Sequence, residues 1–145
     1  MDTKLFDAQD ALKALLDASV ALTDIPKSLG AHPQLSDQDD SVWISGEVDD
    51  WNQVYNVSGL TASDEDFVLR VHCVASTAEG YVGTRNRAKS FLAAVSAIVA
   101  ANPHISGTVT LAKITRLAME EAVRDERRHA VLITAYISCW TTLVS

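Results

Sequence analysis

The sequence predicts an α+β domain, and three stretches carry that prediction. Residues 65–76 alternate strictly. Phe67, Leu69, Val71, Cys73 and Ala75 share one face, while Arg70, His72 and Ser76 share the other, as a β-strand requires. The stretch is dense in β-branched residues and contains neither Gly nor Pro. Residues 84–102 change period: Ala88, Phe91, Leu92, Val95, Ile98 and Val99 follow the i, i+3, i+4, i+7 spacing of a helix lying on a sheet. Residues 129–143 return to period two, with Val131, Ile133, Ala135, Ile137 and Cys139 on one face.

The 145 residues suit one domain, 1–145, with a substantial core. An apolar fraction of 48% indicates a folded chain. No apolar run reaches the roughly 18 residues that a membrane helix needs. The N-terminal residues show no basic region followed by an apolar stretch, so no signal peptide is expected and the chain should stay in the cytoplasm.

Residues 4–23 read as the first helix. Leu5, Ala8, Leu12, Leu15, Leu16 and Leu22 form its apolar stripe, Asp2 or Thr3 can cap its start, and Pro26 closes it. Residues 27–41 read as the least structured part, ending in an acidic loop. Ser41–Gly46 and Asp50–Val57 read as short strands, with Trp51 and Tyr55 sharing a face of the second as sheet-core aromatics. The connection to residues 65–76 is short, which makes those two strands antiparallel neighbours. Gly80 and Gly83 read as a glycine-flanked turn, after which Thr84 caps the second helix. Arg85, Arg87 and Lys89 crowd its first turns against the helix dipole, so they are either solvated or facing an acidic surface. Residues 112–122 have helical propensity and spacing at Ile114, Leu117 and Ala118, and residues 124–128 form a charged turn.

The net charge of −7 argues against a nucleic-acid binder. It is unevenly placed, with fourteen acids against three bases in residues 1–66 and five acids against nine bases in residues 67–145. Such a division suits head-to-tail docking on identical neighbours. No catalytic, cofactor-binding or metal-binding residue is assigned. His72 and Cys73 are adjacent in a strand and face opposite ways, so they form no dyad. Glu120 and Glu121 read as solvated. Cys73 and Cys139 read as buried reduced thiols. The four His and two Cys show no paired metal-ligand spacing, and no phosphate loop or dinucleotide fingerprint is present.

The order of segments carries more. It runs from an N-terminal amphipathic helix through an acidic loop with a short Trp strand to the strand Asp66–Val74. The helix Thr84–Val95 follows, then Ala101–Val109, a charged turn and a final strand. This order resembles the tail terminator family of long-tailed bacteriophages, also called minor tail or tail completion proteins, and especially versions from phages of actinobacteria. The resemblance covers most of the chain, best from about residue 40 onward. It implies a mixed, mostly antiparallel sheet with two helices packed on one face and a long C-terminal β-hairpin. It also implies extended structure at 108–123, and the expectation there becomes a strand.

The function implied is that of a structural virion protein without catalysis or cofactor. It would form a hexameric ring on the head-proximal end of the tail tube, stop tube polymerisation and join the head-completion proteins. Genomic DNA would pass through the ring, and an acidic wall suits a conduit because like charge prevents sticking. Its place would be the tail neck of the virion, assembled in the host cytoplasm. Strands of ten residues or more exceed the usual five to six, so the hairpin is expected to project past the core and reach a neighbour. The alternatives are a head–tail adaptor, and a small ligand-binding domain or enzyme using His72, Cys73 or Cys139.

Overall fold

The computed structural model describes residues 3–30, 40–46, 50–55, 62–125 and 128–142. Helix α1 (Leu5–Asp17) is followed by a 3-10 turn (Val20–Leu22) and strands β1 (Lys27–Gly30), β2 (Ser41–Ser45), β3 (Asn52–Tyr55) and β4 (Ala62–Thr77). Helix α2 (Gly80–Ala101) and strands β5 (Leu111–Asp125) and β6 (Arg128–Thr142) complete it. The sheet order is β1-β2-β4-β6-β5, with β3 also paired to β4. Among the described strands, β1 and β2 pair in parallel and the other pairs are antiparallel. The fold is the expected α+β class, with a mixed sheet, both helices on one face and a long C-terminal hairpin.

The alternation in β4 does what the sequence predicts. Phe67, Leu69, Val71, Cys73 and Ala75 are all buried, and each lies opposite an apolar residue of β6, from Phe67↔Cys139 to Ala75↔Val131. Val42 and Ile44 of β2 continue that face. Ala88, Phe91, Val95 and Val99 of α2 close over it, and Leu5, Ala8, Leu12 and Leu16 of α1 complete the same core.

Strand β3 begins at Asn52, two residues later than expected, and four larger differences stand out. The first helix stops at Asp17, and only a short 3-10 turn follows, with Leu22 buried beneath it. Residues 27–30, expected to be irregular, form β1, because the four residues find β2 as a parallel partner. Such pairing is long-range and leaves no period in four residues. The acidic loop at 36–39 lies outside the described residues. The second helix begins at Gly80, so Gly80 and Gly83 are its first turn, and Thr84 is not its cap. The Thr84 hydroxyl donates back to the Gly80 carbonyl at 2.8 Å and meets the Thr77 hydroxyl at 2.7 Å.

The fourth difference concerns the hairpin. It does not stand free: β6 pairs with β4 from Thr77↔His129 to Asp64↔Thr142. The three long strands, of 16, 15 and 15 residues, make one ribbon. At about 3.3 Å per residue the ribbon runs roughly 50 Å. At 1.5 Å per residue the 22-residue α2 covers only about 33 Å. The residues expected to be extended from 108 do so from Leu111 to Asp125.

Between α2 and β5 the chain makes a left-handed turn. Ile105, Ser106 and Gly107 have φ of 41°, 55° and 82°. A β-branched residue at positive φ is strained. Complete burial of the Ile105 side chain compensates, and bonds from Thr108 N to the Ile105 carbonyl and from Val109 N to the His104 carbonyl close the turn.

Candidate functional site

Two surfaces and one buried carboxylate concentrate the polar chemistry of the described residues. The buried group is Glu65, on the inner face of β4 and 1% exposed. Its carboxylate accepts from Lys4 N at 2.7 Å, from Trp51 Nε1 at 2.6 Å and from the Thr3 hydroxyl, with Gln53 Nε2 at 3.5 Å. It therefore caps the start of α1, whose first N–H groups have no intrahelical acceptor, and it ties α1 to the segment leading into β3. Thr3, the expected cap, also contributes: its hydroxyl accepts from Leu5 N at 3.1 Å. Trp51, expected as a sheet-core aromatic within the strand, instead lies just before β3 and is exposed, with its indole N–H committed to this carboxylate.

The helix-free face of the sheet is aromatic and cationic. The rings of Trp43 and His72 stack with centroids 4.8 Å apart. His72 Nδ1 lies 2.9 Å from the Thr134 hydroxyl. Cross-strand register places Arg70 and Arg116 on either side of Tyr136, with guanidinium carbons 5.7 and 4.8 Å from the ring centroid. Each such contact is worth about 0.5–1 kcal/mol at an exposed site.

The helix-side face is apolar and not wholly covered. A bulge at Thr115 shifts the β5 register between Ile114 and Arg116. Ala112 and Ile114 before it, and Leu117 and Met119 after it, consequently all lie on the helix side, the last two opposite Ala135 and Ile133. Helix α2 covers the beginning of β5 only. Ala112 is buried, whereas Leu117 and Met119 are 54% and 53% exposed at the outer edge of the sheet. Leu111 and Trp140 make a smaller exposed pair on the opposite face.

The remaining expectations resolve geometrically. His72 and Cys73 do face opposite sides of β4, so the imidazole cannot activate the thiol. Cys73 and Cys139 are free and buried. They lie on neighbouring strands six residues out of register, about 20 Å apart, too far for a disulfide. Desolvation pushes each thiol from 9.0 up to about 12, which keeps it protonated and unreactive near neutral pH. Glu120 and Glu121 point to opposite faces and both are exposed. A shallow depression of about 450 Å3 beside β3 is lined by Asp50, Trp51, Asp66, Val68 and Ser138, among others. No cluster of three or more His, Cys, Asp or Glu suited to a metal occurs among the described residues.

Sequence reasoning missed Glu65 and the Leu117–Met119 strip. Glu65 had a signal: it falls on the odd, apolar side of β4, where a charge needs a partner.

No family model matches the chain. No curated protein matches it either. Among solved structures, it is similar to a chain of the "Virion of native gene transfer agent (GTA) particle", at 15% identity over 94% of this chain and 91% of that one, with a TM-score of 0.37.

Proposed function

We propose that this chain is a structural virion protein, a tail terminator that assembles as a hexameric ring on the head-proximal end of a phage tail tube. There it stops tube polymerisation and forms the joint to the head-completion proteins. The observation that carries the reading is the uncovered outer edge of the long ribbon. A 15-residue strand at the rim, bearing exposed Leu117 and Met119, suits a chain built to be continued by a neighbour, because edge strands of monomers are normally short or protected. The segment order supports it, as does the division of charge, which favours head-to-tail contacts.

The reading includes no catalysis, and the state of the three side chains weighed for an enzyme supports it. His72 is stacked on Trp43 and hydrogen-bonded to Thr134, and both thiols are buried and protonated. The test is to mix the purified protein with tail tubes and image them. Rings seated at one tube end, and tubes that no longer lengthen, are expected. Failure to bind tube ends refutes the function.

A further inference from the structure

The ring reading leaves open which surfaces meet, and the structure carries a more specific answer that rests on that reading. The uncovered strip of Leu117 and Met119 has a basic neighbour. Arg87 of α2 donates to Asp40, which lies just before β2, so that flank of α2 faces the β2 side. By helical rotation, Tyr81, Arg85 and Leu92 lie on the opposite flank, toward β5. The Thr84–Thr77 contact fixes the level of α2 along the sheet. The next turn, with Arg85 and Lys89, lies at the level of Cys73–Ala75 and, through β6, of Met119 and Glu121. The strip is thus apolar, rimmed on its helix side by two exposed cations, with the carboxylate of Glu121 at its far end.

The complement sits at the other end of the sheet. Helix α1 packs beside β1, and its Gln9 side chain donates to the Ser45 carbonyl at the end of β2. Its outward face carries Phe6, 63% exposed, with the exposed carboxylate of Asp10 one turn on and that of Asp7 further round the helix on the same side. Lys13 on the same face is paired with Asp17 at 2.6 Å. An exposed aromatic with two acids to one side of it matches an apolar strip beside two bases. The two surfaces belong to opposite edges of the order β1-β2-β4-β6-β5, four strand spacings or about 19 Å apart, so one chain cannot join its own pair.

We infer that a second copy of this chain seats the Phe6 face of its α1 on the Leu117–Met119 strip, with Asp7 and Asp10 against Arg85 and Lys89. The contact is heterologous, so every copy offers one half and receives the other, which closes a ring when the rotation permits.

Sedimentation velocity tests it with Phe6→Asp and Met119→Asp. Both positions are more than half exposed, so each variant should melt at the wild-type temperature. The wild type should sediment as an oligomer and each variant as a 15.7 kDa monomer. An equal mixture of the two variants should give a dimer and nothing larger, because F6D keeps an intact strip and M119D an intact α1. A variant that keeps the wild-type oligomer, a mixture that stays monomeric, or a wild type that is monomeric overturns the contact. Tube-end binding is imaged separately, so this contact and the terminator function can fail independently.

Discussion

Replacing Glu65 by Ala should be among the most damaging single changes in this chain. The carboxylate is almost wholly buried, and its well-formed contacts are with three donors on two separate segments, Thr3 and Lys4 at the start of α1 and Trp51 before β3. A hydrogen bond to a charged group contributes about 1.5–3 kcal/mol, and losing a helix cap costs about 0.5–2 kcal/mol. The donors are part-buried and regain some hydration, which brings the expected cost to about 3–5 kcal/mol. With an unfolding entropy of roughly 2.1 cal/mol/K per residue, a chain of this length loses about 10–16 °C in melting temperature. Circular dichroism melts give the shift, and Trp51 fluorescence reports the loosened segment. Glu65→Gln discriminates the mechanism. It preserves shape but sets an amide N–H₂ among donors, so it should recover little of the loss. A shift below about 3 °C for E65A, or near-complete rescue by E65Q, refutes the role given to this carboxylate.

Other outcomes follow from particular contacts. At Ile105 the usual ranking of small residues should invert. Ile105→Gly should be about 1 kcal/mol more stable than Ile105→Ala in urea titrations, because φ is +41° and only Gly is unstrained there. Asp40 accepts from Ser76 N at 3.0 Å and from Arg87 Nε at 2.6 Å. Since the Arg87 side chain is half exposed, Asp40→Asn should cost only about 0.5–1 kcal/mol, and 1 M salt should erase most of the loss of the ion pair. The two thiols set an alkaline limit. Their folded pKa values are raised from 9.0 to about 12, so the folded chain keeps protons that the unfolded chain releases. Stability is therefore full below pH 9 and drains away between pH 9 and 12, and a Cys73→Ala/Cys139→Ala chain should show a flatter decline in the same denaturant series. Both thiols should resist a thiol-titrating reagent at pH 8 until the chain is unfolded.

What could be read in the sequence follows from where a single period survives. β4 and β6 are buried between partners along most of their length and keep an unbroken alternation, so their span and inward faces were plain. β5 is harder because its bulge at Thr115 breaks the count. Ile114 and Leu117, three apart, lie on one face of a strand yet imitate the spacing of a helix. Local propensity alone gives the wrong answer there, and the expectation of a strand came from the resemblance. The start of α2 was misplaced by two glycines that ordinarily punctuate turns, although Gly80 serves by opening the helix at φ +83°. β1 has no internal signal because its stability is supplied by β2. Glu65 was readable as a charge on an apolar face, but its partners, 61 or 62 residues away at the N-terminus and 14 residues away at Trp51, could not be seen in a linear pattern.

The basic cluster of α2 separates into two parts once the fold is known. Three cations crowd the second and third turns of α2; the helix opens at Gly80, so they lie beyond the first turn where the macrodipole acts, and what each needs is an opposite charge of its own. Arg87 receives it within the chain, from Asp40, and also covers the face of Phe91 at 5.5 Å. Arg85 lies over Tyr81 at 5.8 Å, which offers an aromatic face but no opposite charge, and Lys89 is exposed. The charge that the acidic half of the same chain answers is the one turned toward β2, whereas the cations turned toward β5 sit beside the apolar strip that α2 is too short to cover. Among the described residues, charge and apolar surface are unsatisfied at the same edge. If that coincidence reflects contact between copies, Asp10→Lys should abolish the oligomer, and Lys89→Asp should abolish it too. An equal mixture of the two single variants should recover the oligomer, because one contact sets the wild-type Asp10 of the Lys89→Asp chain against the wild-type Lys89 of the Asp10→Lys chain and the alternate contact pairs the two reversed charges with each other.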